Sequence, residues 1–173
     1  MYLGSLIFVI ILFIIIFAIS ILLVIASDDI LRLPGTVPFD ELTAGGTLTL
    51  AVLVAIFVIG FVLALGVLVY YKSTLPTVPV PGAPDAPLSG YRTEIFLWTF
   101  LALSIIGVFI ILAISWSVSS EISTFNKLYQ PIFTPDQASN ISVATSDLNL
   151  SMVLDVFFII LSFLLVALII GGV

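Results

Sequence analysis

Apolar residues fill four long stretches of the chain, Met1 to Ser27, Leu42 to Tyr71, Ile95 to Ser120 and Leu148 to Val173, and Asp155 is the one charged residue within them. An α-helix rises about 1.5 Å per residue, so roughly 20 apolar residues cross a hydrocarbon core of about 30 Å. Every stretch exceeds that length. The pattern predicts four spanning helices over about 3–27, 46–72, 94–119 and 149–172. The expected fold is therefore all-α and integral to a membrane: a single four-helix domain over 1–173, wound up and down with short loops. The loop 74–90 is proline-rich, and 120–148 is expected as an outer loop.

Within the predicted helices the few small and polar residues carry the information. Helix two holds Ala51-xxx-Ala55 and Gly60-xxx-Ala64, with Gly66 beyond, and helix three holds Gly107. Small residues at this spacing let another backbone approach closely, so these are the expected helix-packing positions. Helix three is bracketed by Trp98 and Trp116, 18 positions and so about 27 Å apart along the axis. Tryptophan favours both membrane interfaces, and Tyr70, Tyr71, Lys72 and Arg92 are the further expected interface anchors. Helix four carries Ser151, Asp155 and Ser162, four and then seven positions apart, which places them on one polar stripe. A carboxylate in hydrocarbon is costly, so Asp155 is expected to be partnered, wetted or protonated. It sits about two turns into its apolar run, and the preferred expectation is an interfacial group facing headgroups or a neighbouring chain. A proton or ion pathway is the alternative.

Between Thr74 and Pro87 the chain reads T-L-P-T-V-P-V-P-G-A-P-D-A-P. Pro76, Pro79, Pro81, Pro84 and Pro87 favour extended, polyproline-like geometry. At about 3.1 Å per residue such a strap reaches much farther than the hop between adjacent helices, so it is expected to lie along the membrane surface or a partner. In the third loop Phe125, Leu128, Tyr129, Ile132 and Phe133 alternate with polar residues just past helix three. Such a segment can continue the helix outward as an amphipathic turn before Pro131 and Pro135 stop it, docking on the bilayer face or on another subunit. Residues 137–146 are polar and expected to be exposed.

Composition narrows the function. The chain is 62% hydrophobic and 8% charged, against roughly 25% charged residues in a soluble domain. It has no His and no Cys, which removes the usual ligands for zinc, haem, copper and iron–sulfur clusters and the Cys–His and Ser–His catalytic pairs. No nucleotide or metalloprotease fingerprint is present. A cofactor held by side-chain ligation is not expected, whereas structural lipids are, and neither is an autonomous enzyme. The net charge is −6 with four basic residues, too few and too scattered to neutralise phosphates, so nucleic acid is excluded as a partner.

Charge placement addresses orientation. Lys72 and Arg92 flank the middle loop at the membrane edge, which favours that loop and both termini on the cytoplasmic side of a prokaryotic plasma membrane. Asn140-Ile-Ser142 and Asn149-Leu-Ser151 on the opposite side then match glycosylation sequons. The first stretch is too long, and lacks the basic n-region, for a cleaved signal peptide, so it is taken as a retained anchor. The expected partners are the lipid bilayer and other integral-membrane subunits, with room for homo-oligomerisation. The expected role is a non-catalytic accessory subunit of a larger membrane complex, respiratory or otherwise energy-transducing. A small oligomeric channel using Asp155, and a structural protein of a virion or cell envelope, are the alternatives.

Overall fold

The computed structural model describes residues 3–31, 44–74 and 87–171. Four helices make up nearly all of it: α1 Leu3–Leu31, α2 Ala44–Thr74, α3 Pro87–Tyr129 and α4 Pro135–Gly171. Each packs against its neighbour in sequence, and α4 closes on α1. The result is an all-α four-helix membrane bundle whose helices are all long and apolar enough to cross a bilayer.

The core follows one rule in every helix. In α1 the buried positions Ser5, Val9, Leu12, Ile16, Ile19, Leu23, Ala26 and Ile30 follow alternating steps of four and three, with Ser27 buried beside Ala26. The same alternation runs from Leu48 to Val69 in α2, from Leu97 to Phe125 in α3 and from Ile141 to Leu165 in α4. A buried position every 3.5 residues is the heptad seam, which keeps one face toward the partner through a left-handed supercoil. Side chains off the seam, such as Ile14, Phe57, Phe109 and Phe163, are exposed and apolar. Against lipid that outer surface carries no penalty.

The helix ends have local causes. Lys72 lies in the last turn of α2, where a cation suits the helix dipole, and its Nζ donates to Glu94 Oε1 of α3 at 2.6 Å. Ser73 and Thr74 close that turn by donating to the carbonyls of Tyr70 and Tyr71. Helix α3 opens with Pro87, a residue pre-set for the first helical position. Its far end stops before Pro131, and the chain makes one 3-10 turn over Gln130–Ile132. Thr134 then caps α4. Its Oγ1 accepts from Gln137 N at 3.3 Å while Gln137 Oε1 accepts from Thr134 N at 3.0 Å, a reciprocal capping box with Pro135 between.

These ends differ from the sequence expectation in one respect that matters for function. The segment 120–148 is not a loop: α3 continues to Tyr129 and α4 already begins at Pro135. Val118, Ile122 and Phe125 extend the seam of α3, and Ile141, Ala144 and Leu148 extend that of α4, so the pair keeps its packing beyond the apolar runs. Phe125 stacks on Phe133 with ring centroids 5.8 Å apart and meets Tyr129 in a tilted contact at 4.8 Å, closing the hairpin. Pro87, expected within the extended strap, is instead the start of α3. Pro76, Pro79, Pro81 and Pro84 lie outside the described residues.

Candidate functional site

The polar stripe of helix four faces inward. Ser151, Asp155 and Ser162 all occupy seam positions of α4 and are 0% exposed. This corrects the expectation of an interfacial Asp155. The carboxyl is turned into its own bundle, 20 residues after the start of α4 and so about 30 Å along the helix. Ser104 and Ser115 bring two more hydroxyls to the seam of α3.

Hydrogen bonding divides these groups in two. Ser162 donates to the carbonyl of Phe158 and Ser104 to that of Phe100, each at 2.7 Å, the usual way a serine is satisfied inside a helix. Ser115 Oγ, Ser151 Oγ and both carboxyl oxygens of Asp155 have no hydrogen-bond partner among the described residues. Buried polar groups are nearly always paired, so each exception calls for a reason.

The antiparallel register places the unpaired groups together. One groove between α3 and α4 is lined by Trp116 with Met152 and Val153, and another by Asn126 with Ser142. Carried along the helices, that register sets Ser115 at a height between Ser151 and Asp155. The close approach of Gly107 to Val58 fixes α2 against α3 in the same way. It brings Ala51 and Ala55, the smallest core side chains of α2, to this height. Asp155 therefore lies about one turn deeper than Trp116, in the half of the core nearer the α3–α4 hairpin. Toward that end stand Asp29, whose Oδ2 is buried with no hydrogen-bond partner among the described residues, and Asp147, close enough to Asp29 for the two like charges to interact.

The remaining candidate positions fall as follows. Ala51 and Ala55 are fully buried, as expected of packing residues. Gly107 is the tightest contact, since a Cβ there would collide with Val58 Cγ2, and a Cβ on Gly66 would press on Val9 Cγ1 at 3.3 Å. Ala64 is half-buried. Gly60 is not a packing residue: it is exposed, with nothing near the place its Cβ would take. The seam of α2 runs through Val58 and Val62, so Gly60 points away from it. Tyr70, Tyr71, Arg92, Trp98 and Trp116 are exposed at the two ends of the apolar band, and Lys72 sits half-buried on Glu94. The hairpin tip is the feature that composition hides. Leu128 is 67% exposed and Ile132 61%, and a groove of about 600 Å³ runs along α3 from Trp116 to Tyr129. Its signal was present as the capping box Thr134-Pro135-Asp136-Gln137.

No protein-family model, curated protein or solved structure matches the chain.

Proposed function

We propose that this chain is a non-catalytic subunit of a larger integral-membrane complex, with the four-helix bundle as its anchor and the α3–α4 hairpin as its docking element. The observation that carries the reading is the exposed apolar tip of a helix pair that runs about 20 Å beyond Trp116 at the standard rise. Lipid solvates such residues lower in the bundle. Beyond the bilayer, leaving them in water costs about 25 cal/mol per Å², which a protein partner removes. A helix broken at the interface would lay this face on the headgroups. An unbroken α3 from Pro87 to Tyr129 favours a protein partner instead.

Charge describes that partner. Among the described residues Asp28, Asp29, Glu121, Asp136 and Asp147 outnumber Lys127 at this end, so the hairpin suits an apolar patch rimmed by Lys and Arg. An energy-transducing assembly, respiratory complexes included, is the class we favour, because a chain with no His and no Cys leaves redox groups to other subunits. An oligomeric channel has less support, since Asp155 points into its own bundle rather than toward a second copy.

The test is purification in mild detergent from native membranes through a C-terminal tag, with mass spectrometry of what accompanies the chain. Larger subunits are expected in near-stoichiometric yield. They are expected to be lost from the double variant Leu128→Glu, Ile132→Glu, while its thermal midpoint stays unchanged. Recovery of the chain alone, or undiminished recovery with the double variant, overturns the reading.

A further inference from the structure

We infer that Asp155, Ser151 and Ser115 form a binding site for one small monovalent cation, buried in the bundle core. Three observations carry this. All three side chains are fully buried on seam positions, and the register of α3 on α4 sets Ser115 level with the single turn of α4 from Ser151 to Asp155. None of their four oxygens has a hydrogen-bond partner among the described residues. The same residue type elsewhere in the core is satisfied: Ser104, Ser162 and the half-buried Ser20 each donate to the carbonyl four residues back. Ser115 and Ser151 do not, so their hydroxyls are left for another ligand.

The chemistry of the donors names the class. One carboxylate and two hydroxyls are oxygen-only, hard ligands, which exclude soft metals. A single negative charge balances one positive charge, whereas divalent sites gather several carboxylates. No group of three or more His, Cys, Asp or Glu residues able to hold a metal occurs among the described residues. A proton on the carboxyl, or a sodium ion shared between carboxyl, hydroxyls and water, meets these conditions.

Apolar seam residues enclose the site at both ends. Toward the hairpin the seams continue through Leu148, Ala144 and Ile141 of α4 and Val118 and Ile122 of α3, with the ionisable Asp28, Asp29, Glu121 and Asp147 off the seam at that end. Toward the opposite end the α4 seam continues through Phe158, the self-satisfied Ser162 and Leu165. The α2 seam contributes no ionisable group, and Lys72 lies at the far end. The site is therefore enclosed rather than part of a pore, and its occupancy would couple cation concentration to the packing of the core.

The experiment uses the full chain in detergent. Its thermal midpoint is followed from pH 5 to 9 with sodium chloride or choline chloride at equal ionic strength, and modification by dicyclohexylcarbodiimide is mapped by mass spectrometry. A sodium-specific rise in midpoint, with protection of Asp155 from the carbodiimide, identifies sodium. Carbodiimide modification of Asp155 that falls as pH rises, indifferent to sodium, identifies the proton. In either case Asp155→Asn is expected to abolish the response, and Ser151→Ala to weaken it while leaving the fold intact. Labelling of the wild type keeps the test decisive if Asp155→Asn does not fold. A midpoint blind to sodium and pH, with no modification at Asp155, overturns the site.

Discussion

A small residue in a membrane helix helps packing only where it lies on the seam, and Gly60 and Gly107 show the difference. Both stand in small-residue patterns, yet only Gly107 abuts another helix, and the atom in its way belongs to Val58, whose branched side chain has one strongly preferred rotamer in a helix. Gly107→Ala is therefore expected to destabilise the bundle by about 1–3 kcal/mol, as overpacking does. Gly60→Ala is expected to be neutral or to stabilise by up to about 1 kcal/mol through helix propensity. Thermal midpoints in one detergent decide this, and Val58→Ala should restore much of the loss at Gly107. Equal effects at the two glycines would sink the assignment of the crossing point. The buried stripe of Ser151, Asp155 and Ser162 was legible from spacing alone. The direction it faces was not, because one helix taken alone has no inside until the seams of its neighbours fix one.

At the scale of the element, hydropathy located the helices but misplaced both ends of α3 and the start of α4. An apolar run reports where the outside of a helix meets lipid, and beyond that point the outside turns polar while the seam continues. Val118, Ile122 and Phe125 on α3 and Ile141, Ala144 and Leu148 on α4 keep the three-and-four alternation through the stretch expected as a loop. The proline strap was the opposite case, since Pro87 fits the first turn of α3 as well as it fits an extended chain. The start of α4 rests on the Thr134–Gln137 box. Removing its hydroxyl in Thr134→Ala is expected to cost about 1 kcal/mol. Hydrogen exchange should then quicken at the amides of Gln137 and Ala138, which respectively donate to the hydroxyl and the carbonyl of Thr134, while the membrane-embedded part of α4 beyond Leu148 stays protected. Unaltered exchange in that first turn would mean that packing under the tip, not the cap, holds the helix end.

Taken as a whole, the molecule is one continuous core with two different outsides. The seams run without change of period from the apolar band into the hairpin, so nothing in the interior marks where the membrane ends. The mark is external: exposed Ile, Leu and Phe give way past Trp116 to Ser117, Ser120 and Thr124, and on α4 to Ser142 and Ser146. This makes a prediction about exposure to water that a hairpin lying in the bilayer would not meet. The chain has no Cys, so single cysteines report cleanly on their surroundings. In sealed vesicles a membrane-impermeant maleimide is expected to label Leu128→Cys and Ser142→Cys from one side and Thr74→Cys only from the other. Phe109→Cys and Phe163→Cys, exposed yet facing lipid, are expected to stay unreactive under the same conditions. Were Leu128→Cys to behave like Phe163→Cys, the hairpin would lie within the membrane and the docking surface would be a lipid-facing one. The same labels report orientation, since the side from which Thr74→Cys reacts is the side on which the α2–α3 end lies.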